Sequence, residues 1–411
     1  MSPSQTASGL RTGSPTSSHS QTNPTPDLRT TLHTEMTDDR CRFHLSQLSE
    51  LLGKLKTKSL FLVADATAFE HSGARQCVTP QLEGLHVTTF TEFEPNPKYD
   101  DVLVGLDAFR SSGADTMLAI GGGTAIDVAK LIGTFAVSAG SPRSIILKSQ
   151  PLSGTPCPLI AVPTTSGTGS EATQFAVVYL DGVKYSVDDP RLLPTYCILD
   201  GSLTAQLPPQ ITAHSGLDAF AQAIESMWSV RSTESSFRNA YEAASLALTH
   251  LKAAVDSSCP TAREAMIKAA HLAGRAINQT RTTAPHAISY SITSGYGVPH
   301  GQAVALTLGP MLEYNAGVTE ADANDPRGSA HTRDRIQKIL ELLNCETPAE
   351  GKRRIQEFIE SLGCQSRLSS FGIQTPEQLR DIATQVNVDR LNNNPRKISE
   401  EQLIRLLESI G

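Results

Sequence analysis

A chain of 411 residues with 35 Lys and Arg against 42 Asp and Glu has a formal net charge of −7 and a pI near 5.9, which argues against a nucleic-acid surface, because phosphate binding wants clustered cations. The length suffices for two domains, each with a substantial core. Seven scattered cysteines, an odd count with no CxxC pair, argue against a disulfide framework and for a reducing compartment, and the Gly-rich apolar run from Met117 to Val137 is interrupted by Asp127 and Lys130, so it does not read as a membrane span.

Residues 1–38 are dominated by Ser, Thr, Pro and Gln and hold too little apolar surface to repay ordering, so a disordered extension is expected. A transit peptide is the competing reading, set back by sparse Arg and the lack of an amphipathic pattern; no secretory apolar core is seen, and a cytoplasmic protein is expected. From Arg42 to Lys56 the spacing of Phe43, Leu45, Leu48, Leu51, Leu52 and Leu55 predicts a helix. An apolar strand, Leu60 to Ala64, then ends in Asp65, where many dinucleotide folds hold the adenosine ribose. A second strand, HVTTF, precedes a loop with Asn96 between two prolines, and a helix over 101–112 leads to TMLAIGGGTAIDVAK.

That segment is a strand from Met117 to Ile120, three glycines (Gly121, Gly122 and Gly123) and a helix start that Thr124 can cap. Unpaired N–H groups and the helix dipole would meet there, as in an anion site. It is neither GxGxxG nor a Walker loop, and a plain strand-to-helix turn is the competing reading. Another strand, Leu159 to Pro163, runs into TTSGTGSEA, whose hydroxyls and glycines offer further donors. Strands alternating with helices up to about Leu199 predict an α/β domain with a mainly parallel sheet, 39–205. After Asp200 helical patterns take over, so an all-α domain, 206–411, is expected.

On that helical half, TAPHAISYSITSGYGVPHG holds His286 and His300, on a helix and the loop after it. Asp218 and Gln222 are spaced i,i+4 and project from one face of a helix. Asp218, His286 and His300 together make a mixed carboxylate and imidazole set with an open coordination position, a catalytic composition. A single His near an apolar segment is more often a satisfied structural imidazole, so the remaining motifs must decide.

GGGTAIDVAK, VPTTSGTGSE, SGLDAFAQAIE and the His286 to His300 pair ending in PHG resemble the iron-containing (group III) alcohol dehydrogenase family, from about Ser46 to the C-terminus. The resemblance implies a dehydroquinate synthase-like fold, with an N-terminal dinucleotide-binding α/β domain, an all-α C-terminal domain and a divalent Fe²⁺ or Zn²⁺ between them. It implies that Asp65 meets the adenosine ribose, favouring NAD(H) over NADP(H) because a carboxylate repels a 2′-phosphate, and that Asn96 lies along the cofactor. It assigns Gly121, Gly122, Gly123, Asp127 and Lys130 to the pyrophosphate motif, Thr164, Thr165, Thr168 and Ser170 to the loop beside the nicotinamide, and Lys184 to a cofactor contact. It makes Asp218, Gln222, His286 and His300 the metal ligands. Two positions depart from the family pattern: Gln222 stands where a His is usual, and Tyr290 where another His often lies near the reacting carbon.

INQTRTTAPHAISY, IESMWSVRSTE and NNPRKIS resemble, within the family, the branch that reduces phosphonoacetaldehyde to 2-hydroxyethylphosphonate. Arg281, shortly before His286, is expected to pair with the phosphonate, and Tyr290, a water or the cofactor ribose to start the proton relay. A general dehydrogenase for uncharged alcohols, a lyase or cyclase of the same fold, and a non-catalytic dinucleotide-binding relative are the alternatives. The expected partners are a small aldehyde or alcohol and a second copy of the chain in a homodimer, with no nucleic acid and no membrane.

Overall fold

The computed structural model describes residues 38–257 and 259–411; the expected extension lies, but for Asp38, outside them. Six strands form a parallel sheet in the order β1-β8-β5-β4-β2-β3: β1 (Cys41–Arg42), β2 (Ser59–Ala64), β3 (His86–Phe90), β4 (Thr116–Gly121), β5 (Leu159–Pro163) and β8 (Tyr196–Ile198). Their central members are near-continuous apolar runs because both faces are covered. Alternation sends Phe61, Val63, Met117, Ala119 and Ala161 into one core and Leu60, Leu62, Leu118, Ile120 and Val162 into the other, as a period of two requires.

The helix predicted from Arg42 is corrected at its start. Cys41 and Arg42 instead pair with Cys197 and Ile198 at the sheet edge, and the helix proper, α1, is Leu48–Leu55. Two paired residues leave no periodicity to read. An antiparallel hairpin, β6 (Phe175–Leu180) and β7 (Val183–Asp188), stands apart from the sheet. Asp181 and Gly182 turn it with φ of 53° and 77°, the two positive values of a type I′ turn.

Helices α2 (Tyr99–Ser112) and α3 (Gly123–Val137) cover the sheet. Beyond residue 205 the chain is helical: α4 (Pro209–Trp228), α5 (Glu234–Ser257), α6 (Pro260–Thr280), α7 (Ala284–Tyr296), α8 (His300–Ala316), α9 (Ser329–Leu343) and α10 (Pro348–Ser361), then shorter helices. Helix α4 is the pivot, buried at nearly every position from Gly216 to Trp228. Helix α8 approaches it closely: a Cβ on Gly301 would lie 2.0 Å from the His214 carbonyl oxygen and 2.9 Å from the Asp218 backbone nitrogen, so only glycine brings the start of α8 this close. Among the described residues no helix is long and apolar enough to cross a membrane.

Candidate active site

The close approach at Gly301 places His300, the first residue of α8 rather than a loop residue, opposite Asp218 on α4. From α7 comes His286, in a helix opened by Pro285, whose missing N–H costs nothing at a helix start. One donor atom from each of Asp218, His286 and His300 lies within 4.8 Å of the others. His286 Nε2 stands 3.3 Å from Asp218 Oδ1, and the two imidazole rings are 5.5 Å apart. Gln222 is one turn further along α4, its side chain bonded to Asp218 and its Nε2 3.5 Å from the Thr168 carbonyl. Its Oε1 is buried without a hydrogen-bond partner among the described residues. An orphaned buried carbonyl oxygen is costly, and one beside a carboxylate and two imidazoles fits a divalent cation, so the four residues suit Fe²⁺ or Zn²⁺.

Glu225, which the sequence reading did not single out, organises this cluster from behind. Its fully buried carboxylate accepts from the Thr283 N–H and hydroxyl at 2.9 and 2.8 Å and binds His286 Nδ1. A proton on Nδ1 leaves Nε2 to face Asp218, the carboxylate–histidine arrangement that orients metal-binding imidazoles. Burial alone would lower His286, yet Glu225 and Asp218 outweigh it and raise it to about 10. Burial pulls His300 down to about 3, so it is neutral with a free lone pair. For Asp218 burial acts upward, but hydrogen bonding from His286 and the nearby His300 hold the carboxyl below its ordinary value. Glu225→Gln keeps the shape but weakens the hold on the Nδ1 proton; it is expected to lower metal affinity roughly 10- to 100-fold, as read by competition with a chelator. An unchanged affinity would remove Glu225 from the site.

The anion cradle lies at the carboxyl ends of β2, β4 and β5, where the strand order reverses, the usual ligand position in such sheets. Gly121 is in register with Pro163 and has φ of 156°; a Cβ on it would lie 2.7 Å from the Ala125 Cβ and 3.0 Å from that of Asp65. Asp65 caps the short helix Ala66–His71 through Oδ1, 2.8 Å from the Ala68 N–H. The N–H of Asn96 (φ 65°) donates to the Thr124 hydroxyl at 3.3 Å. Thr124 is thus not the cap of α3; that position is Gly122, without a side-chain cap.

Thr168 joins the cradle to the metal cluster: its hydroxyl would be 2.8 Å from a Cβ on Gly123, and its carbonyl meets Gln222. Thr165 packs over Gly122. The Thr164 and Ser166 hydroxyls are buried without partners among the described residues, which fits a polar ligand along this loop. Asp127, Lys130 and Ser170 have a different place. Lys130 Nζ donates to Ser170, Thr173 and the Phe175 carbonyl at 3.0 to 3.1 Å. Asp127 accepts from the Ser170 hydroxyl and the Val177 N–H at 2.5 and 2.9 Å. Burial lowers Lys130 to about 8 and raises Asp127. These three side chains are committed to one another and hold α3 against the loop.

Beside His300 lies Tyr290, rings stacked with centroids 5.8 Å apart. Its hydroxyl accepts from Arg390 Nη1 at 2.7 Å, the Arg390 guanidinium lies 4.7 Å from the ring centroid, and Lys184 Nζ, carried by the β6–β7 hairpin, lies 4.1 Å from it. Burial would raise the Tyr290 phenol, but Lys184 and Arg390 outweigh it and hold it below the ordinary value. Lys184 makes no hydrogen bond or ion pair among the described residues. Arg281, expected to face the substrate, is spent elsewhere. At φ 59° it terminates α6, gives both bonds of one amino group to Asp188 at 2.8 and 2.6 Å, and stacks 5.1 Å from the Phe175 ring. The cations at the ligand cluster are Lys184 and Arg390.

Comparison with known proteins adds to this geometry. Models of iron-containing alcohol dehydrogenases match residues 42–201, and of their C-terminal region residues 212–411. A phosphonoacetaldehyde reductase of Streptomyces viridochromogenes is 36% identical over 340 residues, covering 80% of this chain and 84% of the relative. A 1-propanol dehydrogenase of Salmonella typhimurium is 31% identical over 343 residues, 79% of this chain and 85% of the relative. A crystal structure of sulfoacetaldehyde reductase from Bifidobacterium kashiwanohense in complex with NAD+ superposes with a TM-score of 0.81 at 27% identity, covering 90% of this chain and 96% of the other.

Proposed function

The chain belongs to the iron-containing alcohol dehydrogenase family, and from that premise we propose that it reduces a small aldehyde carrying a dianionic head, phosphonoacetaldehyde, to the primary alcohol 2-hydroxyethylphosphonate. The observation that carries the substrate class is the pair of cations on Tyr290, Lys184 and Arg390, beside the ligand cluster. A guanidinium presents a fork that matches phosphonate oxygens, and an ammonium with no hydrogen bond or ion pair among the described residues supplies the second charge. The relative that reduces phosphonoacetaldehyde and the structural neighbour that reduces a sulfonate aldehyde support the same chemistry.

When bound, the reduced dinucleotide supplies the hydride and the divalent ion polarises the carbonyl oxygen. The chain does the rest. The N–H groups at the start of α3 and the glycine turn hold the pyrophosphate, while Asp65 receives the adenosine ribose and disfavours a 2′-phosphate. Asp218, His286, His300 and Gln222 hold the ion, with Glu225 fixing the His286 tautomer. Thr168 sets the two sites side by side. Lys184 and Arg390 bind the head group and orient the carbonyl. Tyr290, whose phenol is made more acidic by the same two cations, gives a proton to the oxygen as it gains charge and regains one from solvent.

The test is NADH oxidation with phosphonoacetaldehyde and, separately, propanal, before and after chelation and metal add-back. Metal-dependent turnover that strongly prefers the phosphonate is expected. Equal turnover of propanal would keep the dehydrogenase and remove the phosphonate; no turnover with any metal would overturn the catalytic reading.

A further inference from the structure

A second constellation lies away from the active site, between the sheet edge and α6. Cys41 on β1 and Cys197 on β8 are directly opposite in parallel register, with their sulfurs 3.0 Å apart. His271 on α6 brings Nε2 to 3.5 Å from the Cys41 sulfur, and its Nδ1 lies 3.2 Å from Glu171 Oε1. All four residues are at most 4% exposed. The two sulfurs and an imidazole nitrogen fall within 4.8 Å of one another, the other such group among the described residues besides the Asp218 cluster.

We infer that Cys41, Cys197 and His271 form a second metal site, for a thiophilic divalent ion of the Zn²⁺ class, which ties the sheet edge to the helical half. Three features point to an ion. The His271 Nδ1 contact with a buried carboxylate is the arrangement that aims the other nitrogen at a metal, and Cys41 sits where that nitrogen points. Zn–N near 2.1 Å and Zn–S near 2.3 Å place such ligand atoms about 3.6 Å apart at a tetrahedral angle, close to the 3.5 Å between His271 and Cys41. Two thiolates and a neutral imidazole cancel the 2+ charge of the ion, so the ligand set itself adds no net charge to the apolar interior.

Binding releases the thiol protons and the proton that Cys41 and Glu171 favour on His271, which keeps the one on Nδ1, donated to Glu171. The sulfurs must separate by less than about 1 Å to share one ion, which a small side-chain rotation provides. Soft ligands make this site selective against Mg²⁺ and Ca²⁺, whereas the oxygen- and nitrogen-only active site discriminates on other grounds.

The full-length chain, grown with zinc and purified under reducing conditions, is expected to carry two ions by native mass spectrometry. Cys41→Ser or Cys197→Ser should remove one, and Asp218→Asn the other. After exchange with Cd²⁺, a sulfur-to-metal charge-transfer band is expected, retained in Asp218→Asn and lost in Cys41→Ser. Because the Asp218 cluster contains no sulfur, the band in the unaltered chain tests the site even where a serine variant does not fold. One ion per chain without that band, or a Cys41–Cys197 disulfide detected by mass, would overturn the inference.

Discussion

Asp218→Asn is expected to lower turnover by on the order of 10³-fold, while the variant stays folded. The reason lies in the donor set. Asp218 is the carboxylate among four ligands of which Gln222 contributes only a neutral amide oxygen, so the anionic share of the ion's binding rests on it. The asparagine is nearly isosteric and still fits against Gly301, where a Cβ would lie 2.9 Å from the Asp218 backbone nitrogen, so packing is kept. The lost oxygen charge weakens the hold on the ion and removes one of the two carboxylates that flank His286. Lewis-acid polarisation supplies several kcal/mol of transition-state stabilisation, which at about 1.4 kcal/mol per factor of ten is on the order of 10³-fold in rate. Metal content per chain, turnover and thermal midpoint should be measured together. A drop in turnover with metal retained would make Asp218 a general base rather than a ligand, and unchanged turnover would remove the cluster from catalysis.

The sequence made some of this site readable and hid other parts for identifiable reasons. Asp218 and Gln222 are legible because a helix turns once per 3.6 residues, so i,i+4 residues share a face whatever surrounds them. Glu225 lies on the same stripe, seven residues past Asp218, but a glutamate near a helix end reads as solvated until its burial is known. The hairpin of Lys184 was signalled by Asp181-Gly182 between alternating residues, a cue that the run of parallel strands obscured. Arg281 misled through nearness in sequence to His286: the left-handed turn that ends α6 sends its guanidinium back to Asp188. Arg390, exactly one hundred residues from Tyr290, could be found only through the tertiary fold. The parallel sheet and the helical second half were legible because texture over tens of residues survives errors at single positions, as the corrected start at Cys41 shows.

Arg390→Ala should raise the Michaelis constant for phosphonoacetaldehyde by about 10²-fold, while propanal shows no such rise and loses only the smaller kcat contribution that both aldehydes draw from Arg390 through Tyr290. Removing one member of a desolvated charged pair costs about 2–5 kcal/mol, and the Lys184 ammonium remains to hold the head group, so the lower part of that range applies. The two aldehydes separate substrate binding from an indirect effect, because Arg390 also donates to the Tyr290 hydroxyl at 2.7 Å. If it acted only by placing that phenol, both aldehydes would lose kcat together. Arg390→Lys keeps the charge but not the fork, and is expected to fall between the two for the phosphonate alone. Raising the ionic strength should weaken phosphonate binding in the unaltered enzyme more than in Arg390→Ala, since one fewer charge is left to screen. An equal fall for both aldehydes, with no added dependence on salt, would assign Arg390 to Tyr290 and leave Lys184 as the cation that selects the substrate.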